Sequence, residues 1–273
     1  MKKISLFTTA LLAMLLLACQ PAPLTVMSFN VRYGAAPDGD NAWELRKSAT
    51  GAMLAEVHPD VFGVQEALPE QIDYILEVAP AYKCYGIGRN DGVEGEHMSI
   101  FYNTERIEMQ DHGTWWLSET PEVPSKGWDA KYPRTATWAL LSDLRTGKQL
   151  YFVDTHLDHR GVVARREGLL MIVNKVREMN PEVPMVLLGD FNVEPGDSAL
   201  LALDGLMLSA RATARKTTDV PSFNGFGLSR ATLIDYIYYS GFSGAREFRV
   251  LNEPFDGKPY ISDHYPIVEK LDY

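Results

Sequence analysis

Short apolar runs, punctuated by Gly, Pro, Asn and Asp, alternate with three stretches of helical spacing. Leu24–Phe29, Val61–Val64, Glu96–Tyr102, Ala136–Leu141, Leu150–Thr155, Met185–Leu188 and Ala231–Tyr239 read as strands. Ile107 to Trp116 reads as a further strand pair, and a closing strand runs through Leu271. Trp43 to Val57 carries Trp43, Leu45, Met53, Leu54 and Val57 at helical spacing until His58-Pro59-Asp60 stops it. Pro69 suits a first helical turn and opens a helix to about Val78. Val162–Met179 places Leu169, Ile172, Val173 and Val176 on one face and Arg165, Arg166, Lys175 and Arg177 in its solvated parts. Pro181 and Pro184 end it. Tyr85 to Gly95 reads as a loop, Leu117 to Pro133 as an irregular insertion, and Pro195 to Thr218 as a short helix plus polar loop. Strands alternating with helices predict an α/β domain.

Polar residues gather where the apolar runs stop. Met185–Asn192 reads MVLLGDFN: Gly189 breaks a buried strand, and Asp190 and Asn192 stand at its carboxyl end, where open α/β sheets place their sites. Asn30 follows the first strand, Gln65-Glu66 the second, and His156 a later one with Asp158, His159 and Arg160 behind it. Glu96 begins its strand. Taken singly, Asn30 reads as a turn former, Glu66 as a solvated acid and Arg134 as a surface ion pair. His58 and His97 read as packing or surface groups and His112 as structural. Asp235 sits in the middle of an apolar run and is costly there unless paired, and Ser262-Asp263-His264 supplies a partner. An aspartate on one imidazole nitrogen orients the other and raises its basicity.

This set is rich in oxygens with few fixed nitrogens, which suits Mg²⁺ or Mn²⁺ and phosphoryl transfer. The sequence has no His-Glu-x-x-His pattern or cysteine cluster, and no glycine-rich loop ending in Gly-Lys-Ser/Thr, which argues against a zinc protease and a P-loop triphosphatase. Trp115, Trp116 and Trp128 beside the insertion either line a pocket or pin the loop to the core, and pinning is the favoured reading.

The 273 residues carry a formal charge of −10 and suffice for one domain with a full core. Residues 1–18, with Lys2 and Lys3 before the apolar run Leu6 to Leu17, have the form of an export signal. Leu16-Leu17-Ala18-Cys19 is similar to a bacterial lipobox, so Cys19 is the expected lipidation site, residues 19–23 a lipidated linker and residues 24–273 the domain. The envelope of a bacterium, extracytoplasmic and lipid-anchored to the membrane, is the expected location. Removing the leader leaves 24 basic and 36 acidic residues, a net charge of −12, which disfavours duplex nucleic acid as a partner. Cys84 is then the only other cysteine, so no intrachain disulfide framework is expected.

Ser28-Phe29-Asn30, Gln65-Glu66, Gly95-Glu96, Thr155-His156-Leu157, Gly189-Asp190-Phe191-Asn192, Ile234-Asp235-Tyr236 and Ser262-Asp263-His264-Tyr265-Pro266 occur in an order that resembles the endonuclease/exonuclease/phosphatase superfamily. The resemblance implies a four-layer α/β sandwich, two mixed and mainly antiparallel sheets flanked by helices. It implies a Mg²⁺-dependent (or Mn²⁺-dependent) phosphoesterase, a monomer acting on a phosphodiester or phosphomonoester. Glu66 would be the main metal ligand, with Asn30 and Asp263 near it. Asp190 and Asn192 would align water and phosphate, His264 paired with Asp235 would act at the scissile phosphate, and His156 supported by Glu96 would face it. Arg134 is similar to a phosphate-contacting arginine. Arg32 stands where apurinic endonucleases often carry an acid, and Glu94 where deoxyribonucleases carry a tyrosine. The Trp115–Pro121 and Gly127–Asp129 stretches resemble a bacterial branch that is often secreted or lipid-anchored. A nuclease, a sphingomyelinase-like enzyme and a catalytically silent binding lipoprotein are the alternatives.

Overall fold

The computed structural model describes residues 22–273. The leader, Cys19, Gln20 and Pro21 lie outside the described residues. Thirteen strands form two sheets. In chain order they are β1 (Leu24–Asn30), β2 (Val61–Ala67), β3 (Tyr82–Tyr85), β4 (His97–Asn103), β5 (Ile107–Trp116), β6 (Thr135–Asp143), β7 (Lys148–His156), β8 (Met185–Asp190), β9 (Leu208–Ser209), β10 (Lys216–Thr217), β11 (Asp235–Ser240), β12 (Gly244–Val250) and β13 (Ile267–Asp272). The first sheet runs β10-β12-β13-β1-β2-β4-β3 and the second β5-β6-β7-β8-β11-β9. Helices α1 (Trp43–Val57) and α2 (Pro69–Val78) cover the outside of the first sheet, and α3 (Val162–Met179) the outside of the second.

The four layers follow from strands buried on both faces. In β1, Leu24 and Val26 join Leu188 and Ile237 in the core between the sheets, while Met27 and Phe29 pack outward against Met53 and Ile75. In β8, Val186 and Leu188 point inward, and Met185 and Leu187 lie under Leu169 and Ile172 of α3. A strand with no wet face reads as an unbroken apolar run, which is why these strands lack clean alternation.

Each sheet contains one parallel pair joined by a long helical crossover: β1 and β2 through α1, and β7 and β8 through α3. A parallel pair presents both carboxyl ends at the same pole. Asn30 therefore lies opposite Gln65, and His156 opposite Asp190. The antiparallel neighbour β11 begins at that pole, with Asp235 opposite Asp190. Asp235 is thus the first residue of its strand, not a mid-strand residue. Its backbone N–H and that of Ile234 both donate to Ser222 Oγ, 3.1 and 3.2 Å, so the ladder starts only there.

Ile107–Trp116 is one long strand paired with β6 instead of a pair of its own. Tyr82–Tyr85 and Gly244–Val250 are strands that the apolar pattern did not mark. The second carries Arg246, Glu247 and Arg249, whose charged ends stay near the surface of an outer strand. The 117–133 insertion is irregular as expected, and Trp128 pins it by packing against the apolar cluster beneath α3; Trp115 and Trp116 are buried at the end of β5, where Trp116 Nε1 donates to the Arg89 carbonyl at 2.8 Å.

Candidate active site

The inward parity of the core strands continues to their ends. Leu24, Val26, Ser28 and Asn30 share one face of β1. So do Leu150, Phe152, Asp154 and His156 on β7, and Val186, Leu188 and Asp190 on β8. The polar ends of three strands thereby meet at the top of the inter-sheet core. Glu66 is the exception. Simple alternation after Gln65 would aim it outward, but its φ of 63° and the register shift between Val64 and Ala67 turn it back. Gly189 is obligatory. Its φ is 143°, and a Cβ there would stand 1.8 Å from the Thr155 carbonyl.

Asp190 is the hub. Its Oδ2 accepts a hydrogen bond from Asn30 Nδ2 at 3.0 Å and lies 3.5 Å from His156 Nε2 and 3.7 Å from His264 Nε2. Its Oδ1 accepts from the backbone N–H of Asn192 at 2.9 Å. Asn192 Nδ2 donates to His156 Nε2 at 2.9 Å and to the Leu157 carbonyl at 3.0 Å. His264 Nδ1 lies 2.8 Å from Asp235 Oδ2, as the pairing of these two residues required. Glu66 Oε1 accepts from Asn30 Nδ2 at 3.0 Å, and Oε2 from the Tyr33 backbone at 2.9 Å. Asn30 Oδ1 accepts from the Arg32 backbone N–H, which fixes the amide orientation. Asn30 therefore points its N–H₂ at Glu66 and Asp190 and bridges the two acids, where an oxygen ligand was expected.

The two histidines differ in charge for physical reasons. Burial pulls the His264 pKa down, but Asp235 and Asp190 override it and push it up to about 10. His156 is held well below the usual range by burial, then by Arg134 and Arg89. A neutral His156 that accepts from Asn192 at Nε2 carries its proton on Nδ1. Burial pushes Asp190 up to about 7, with His264 opposing and Asp235 and Glu66 adding like charge. Behind the site, burial raises Asp154 well above the usual carboxylate value, although Gln65 donates to it at 2.6 Å and opposes the shift.

Three expectations need correction. Glu96 does not hold His156: its nearest oxygen is 3.8 Å from Nδ1, because Arg89 takes that oxygen at 2.6 Å. Arg134 is not a surface ion pair. It is 5% exposed, 3.5 Å from Asp158, with Nε and Nη1 unpartnered and its side chain lining the cleft. Asp263 lines the cleft too but faces Arg32 Nη1 at 3.4 Å, while the rest of that guanidinium forks onto Asp38 at 2.9 Å. Asp158 is structural, accepting from the backbones of Tyr132, Arg160 and Gly161.

These groups line a cleft of about 650 Å³. Its far wall includes Arg89, Tyr132 and His159, which sequence reasoning had not assigned to the site. Tyr132 sits under Arg89 at 5.7 Å and beside His159 at 5.8 Å. Each comes from an irregular segment, where only the motif-like run around His159 offered a signal.

The profile of the Endonuclease/Exonuclease/phosphatase family matches residues 27–264. The chain belongs to that family. The endonuclease/exonuclease/phosphatase of Bacteroides vulgatus superposes with a TM-score of 0.87 at 33% identity, covering 92% of this chain and 99% of that one. A mannosyl-6-phosphatase of Bacteroides thetaiotaomicron does so at 0.85 and 31%, covering 92% and 100%. Nocturnin of Drosophila melanogaster is 25% identical over 205 residues, 68% of this chain, but the match spans only 30% of the fly protein.

Members of this family hydrolyse phosphoesters and generally use a divalent metal, and the residues here fit one. Donor atoms of Glu66, His156 and Asp190 lie within 4.8 Å of one another, and so do those of Asp190, Asp235 and His264. The like charge that raises Asp190 is what a divalent cation beside Glu66 would relieve.

Proposed function

We propose that this protein is a Mg²⁺-dependent (or Mn²⁺-dependent) phosphoesterase that acts outside the cytoplasm, held to a bacterial membrane by a lipid on Cys19. One observation carries the catalytic reading: a buried carboxylate, Asp190, flanked at 3.5 Å by His156 and at 3.7 Å by His264, whose other ring nitrogen lies 2.8 Å from Asp235. Asp190 is placed to accept a proton, and an imidazolium stabilises developing negative charge. Water attacks phosphorus and gives a proton to Asp190. The bond to the ester oxygen breaks as that oxygen takes the His264 Nε2 proton and leaves as an alcohol, and the proton on Asp190, 3.7 Å away, then restores the imidazolium. Asp235 keeps His264 protonated and oriented. Asn192 ties His156 to the strand end. Glu66, set by Asn30 and Tyr33, would hold the cation, which neutralises phosphate oxygens when bound.

Monoesters are the favoured substrates within this class. The cleft sets Arg32, Arg89, Arg134 and His264 among four acids, Glu66, Glu96, Asp190 and Asp263, which gives one phosphate local cationic partners, while an acidic protein repels a long polyanion. The Bacteroides relative at 31% identity is a mannosyl-6-phosphatase, which supports a sugar phosphate.

The test uses p-nitrophenyl phosphate and bis-p-nitrophenyl phosphate with Mg²⁺, with and without chelator, and the His264→Ala variant. Chelator-sensitive monoester hydrolysis that disappears in the variant is the expected result. A folded protein inert on both, and on sugar phosphates, refutes the reading. Diester cleavage alone moves it to a phosphodiesterase.

A further inference from the structure

We infer that the anchored protein stands with its cleft directed away from the membrane, so that its substrate is a phosphoester dissolved in water and not a headgroup of the bilayer that holds it. The inference rests on the anchoring at Cys19 proposed above and on where the chain leaves the fold.

Strand β1 joins the two poles. It starts at Leu24 and delivers Asn30 to the cleft. Seven strand residues span about 20 Å, so the chain leaves the fold roughly that far from Asn30. That exit is clamped. Arg106, 2% exposed, donates Nη2–H to the Ala22 carbonyl at 3.0 Å and Nη1–H to the Pro23 carbonyl at 2.8 Å. Asp60 and Asp143 pair with the same guanidinium at 2.7 and 2.8 Å, and Asp60 also accepts from the Thr25 backbone at 2.7 Å. The segment before β1 cannot peel off and lengthen the tether without giving up two hydrogen bonds from the buried Arg106 guanidinium.

Only Gln20 and Pro21 stand between Cys19 and clamped Ala22. Three Cα steps reach at most about 11 Å, about half the length of β1. Such a tether cannot carry the far pole round to the headgroups.

The exit pole also offers a surface that suits an interface. The β6–β7 turn lies against the clamp, with the Leu144 N–H donating to the Arg106 carbonyl at 2.8 Å. Leu144 is 55% exposed, and Arg145 and Lys148 beside it are exposed cations. An apolar side chain among cations rests on an anionic membrane surface, its tip in the headgroups and the charges at phosphate level. No helix among the described residues is long and apolar enough to cross a membrane.

The test reconstitutes the full lipidated chain into phosphatidylethanolamine/phosphatidylglycerol vesicles carrying a headgroup quencher. A fluorophore is placed at Arg145→Cys or at Ala35→Cys on the cleft rim, each in a Cys84→Ser background whose fold is checked by melting. The expected result is loss of fluorescence at position 145 and none at position 35. Equal quenching, or stronger quenching at 35, overturns the orientation. Hydrolysis of a soluble aryl phosphate by the anchored protein should match that of a Cys19→Ser protein in solution, while phosphatidic acid in the same vesicles should resist the anchored protein. Its rapid cleavage there also overturns the inference. Failure of the anchoring reading registers separately, as a chain whose mass carries no lipid and which stays in the supernatant.

Discussion

Asp235→Asn is the substitution that isolates the charge logic of the site. The amide is isosteric with the carboxylate, and its oxygen still accepts from His264 Nδ1–H, so the 2.8 Å contact survives while the negative charge goes. At a charge separation of about 4 Å and an effective dielectric constant of about 20, that charge contributes about 4 kcal/mol. This corresponds to about 3 pKa units. Taken from about 10, it brings His264 to about 7, with Asp190 still supporting the proton. His264 would then be only about half protonated at neutral pH. Loss of the charged imidazole therefore predicts a fall in kcat/KM of about twofold at pH 7 and about 10²-fold at pH 9, with the remaining activity shifted to lower pH. Stability follows the same sign. The raised folded-state pKa stabilises the wild type below the ordinary histidine range, and that contribution fades only as the pH climbs through about 10. In the variant it fades near neutrality. The assay is a histidine ¹H–¹³C NMR titration beside a pH profile of aryl phosphate hydrolysis. If His264 in the variant still titrates above about pH 9, or turnover at pH 9 falls less than about tenfold, the assignment of Asp235 as the source of the charge is wrong.

Arg106→Met leaves Asp60 and Asp143 buried without their cation, and urea unfolding should show a loss of about 3–5 kcal/mol with the cleft geometry unchanged. A loss below about 1 kcal/mol would mean that the cluster is solvated in a way its burial does not suggest. Burial pushes Glu269 up to about 7, with backbone donors opposing. Because the folded state holds this proton more tightly than the unfolded chain, wild-type stability should fall as the pH rises from about 4.5 to about 7. Glu269→Gln should flatten that slope and gain about 1–3 kcal/mol at alkaline pH, and unchanged urea midpoints across the range would contradict it. Glu66→Gln removes the acid that Asn30 and Tyr33 orient, and calorimetric Mn²⁺ titration should show affinity reduced at least about tenfold, with wild-type affinity as the refuting outcome.

Much of the site could be read in advance because one physical pattern wrote both the core and the catalytic ends. A strand buried on both faces is an apolar run, and an acid, amide or histidine where it stops is conspicuous. His156 and Asp190 stand out that way, and with Asn30, which taken singly reads as a turn former, they share a parity with the core residues before them. Asp235 stood out because an unpaired buried charge is costly, and His264 is its partner. Helices α1, α2 and α3 begin and end where their apolar spacing and prolines place them.

Only the tertiary structure decided the rest. The inward aim of Glu66 depends on a positive φ that no side-chain pattern encodes. Arg89, Tyr132 and His159 line the cleft from segments without periodicity, so nothing local marks them as neighbours. The competition of Arg89 with His156 for Glu96, 2.6 against 3.8 Å, and the turn of Asn30 toward two acids are settled by the placement of groups brought in from separate segments. Arg106 looks like any surface arginine until the fold closes Asp60, Asp143 and the start of the chain around it. Local sequence determined which residues are apolar, where elements stop and which chemistries are present. Direction, pairing and charge state are properties of side chains brought together from distant segments, and those came only with the packing of the two sheets.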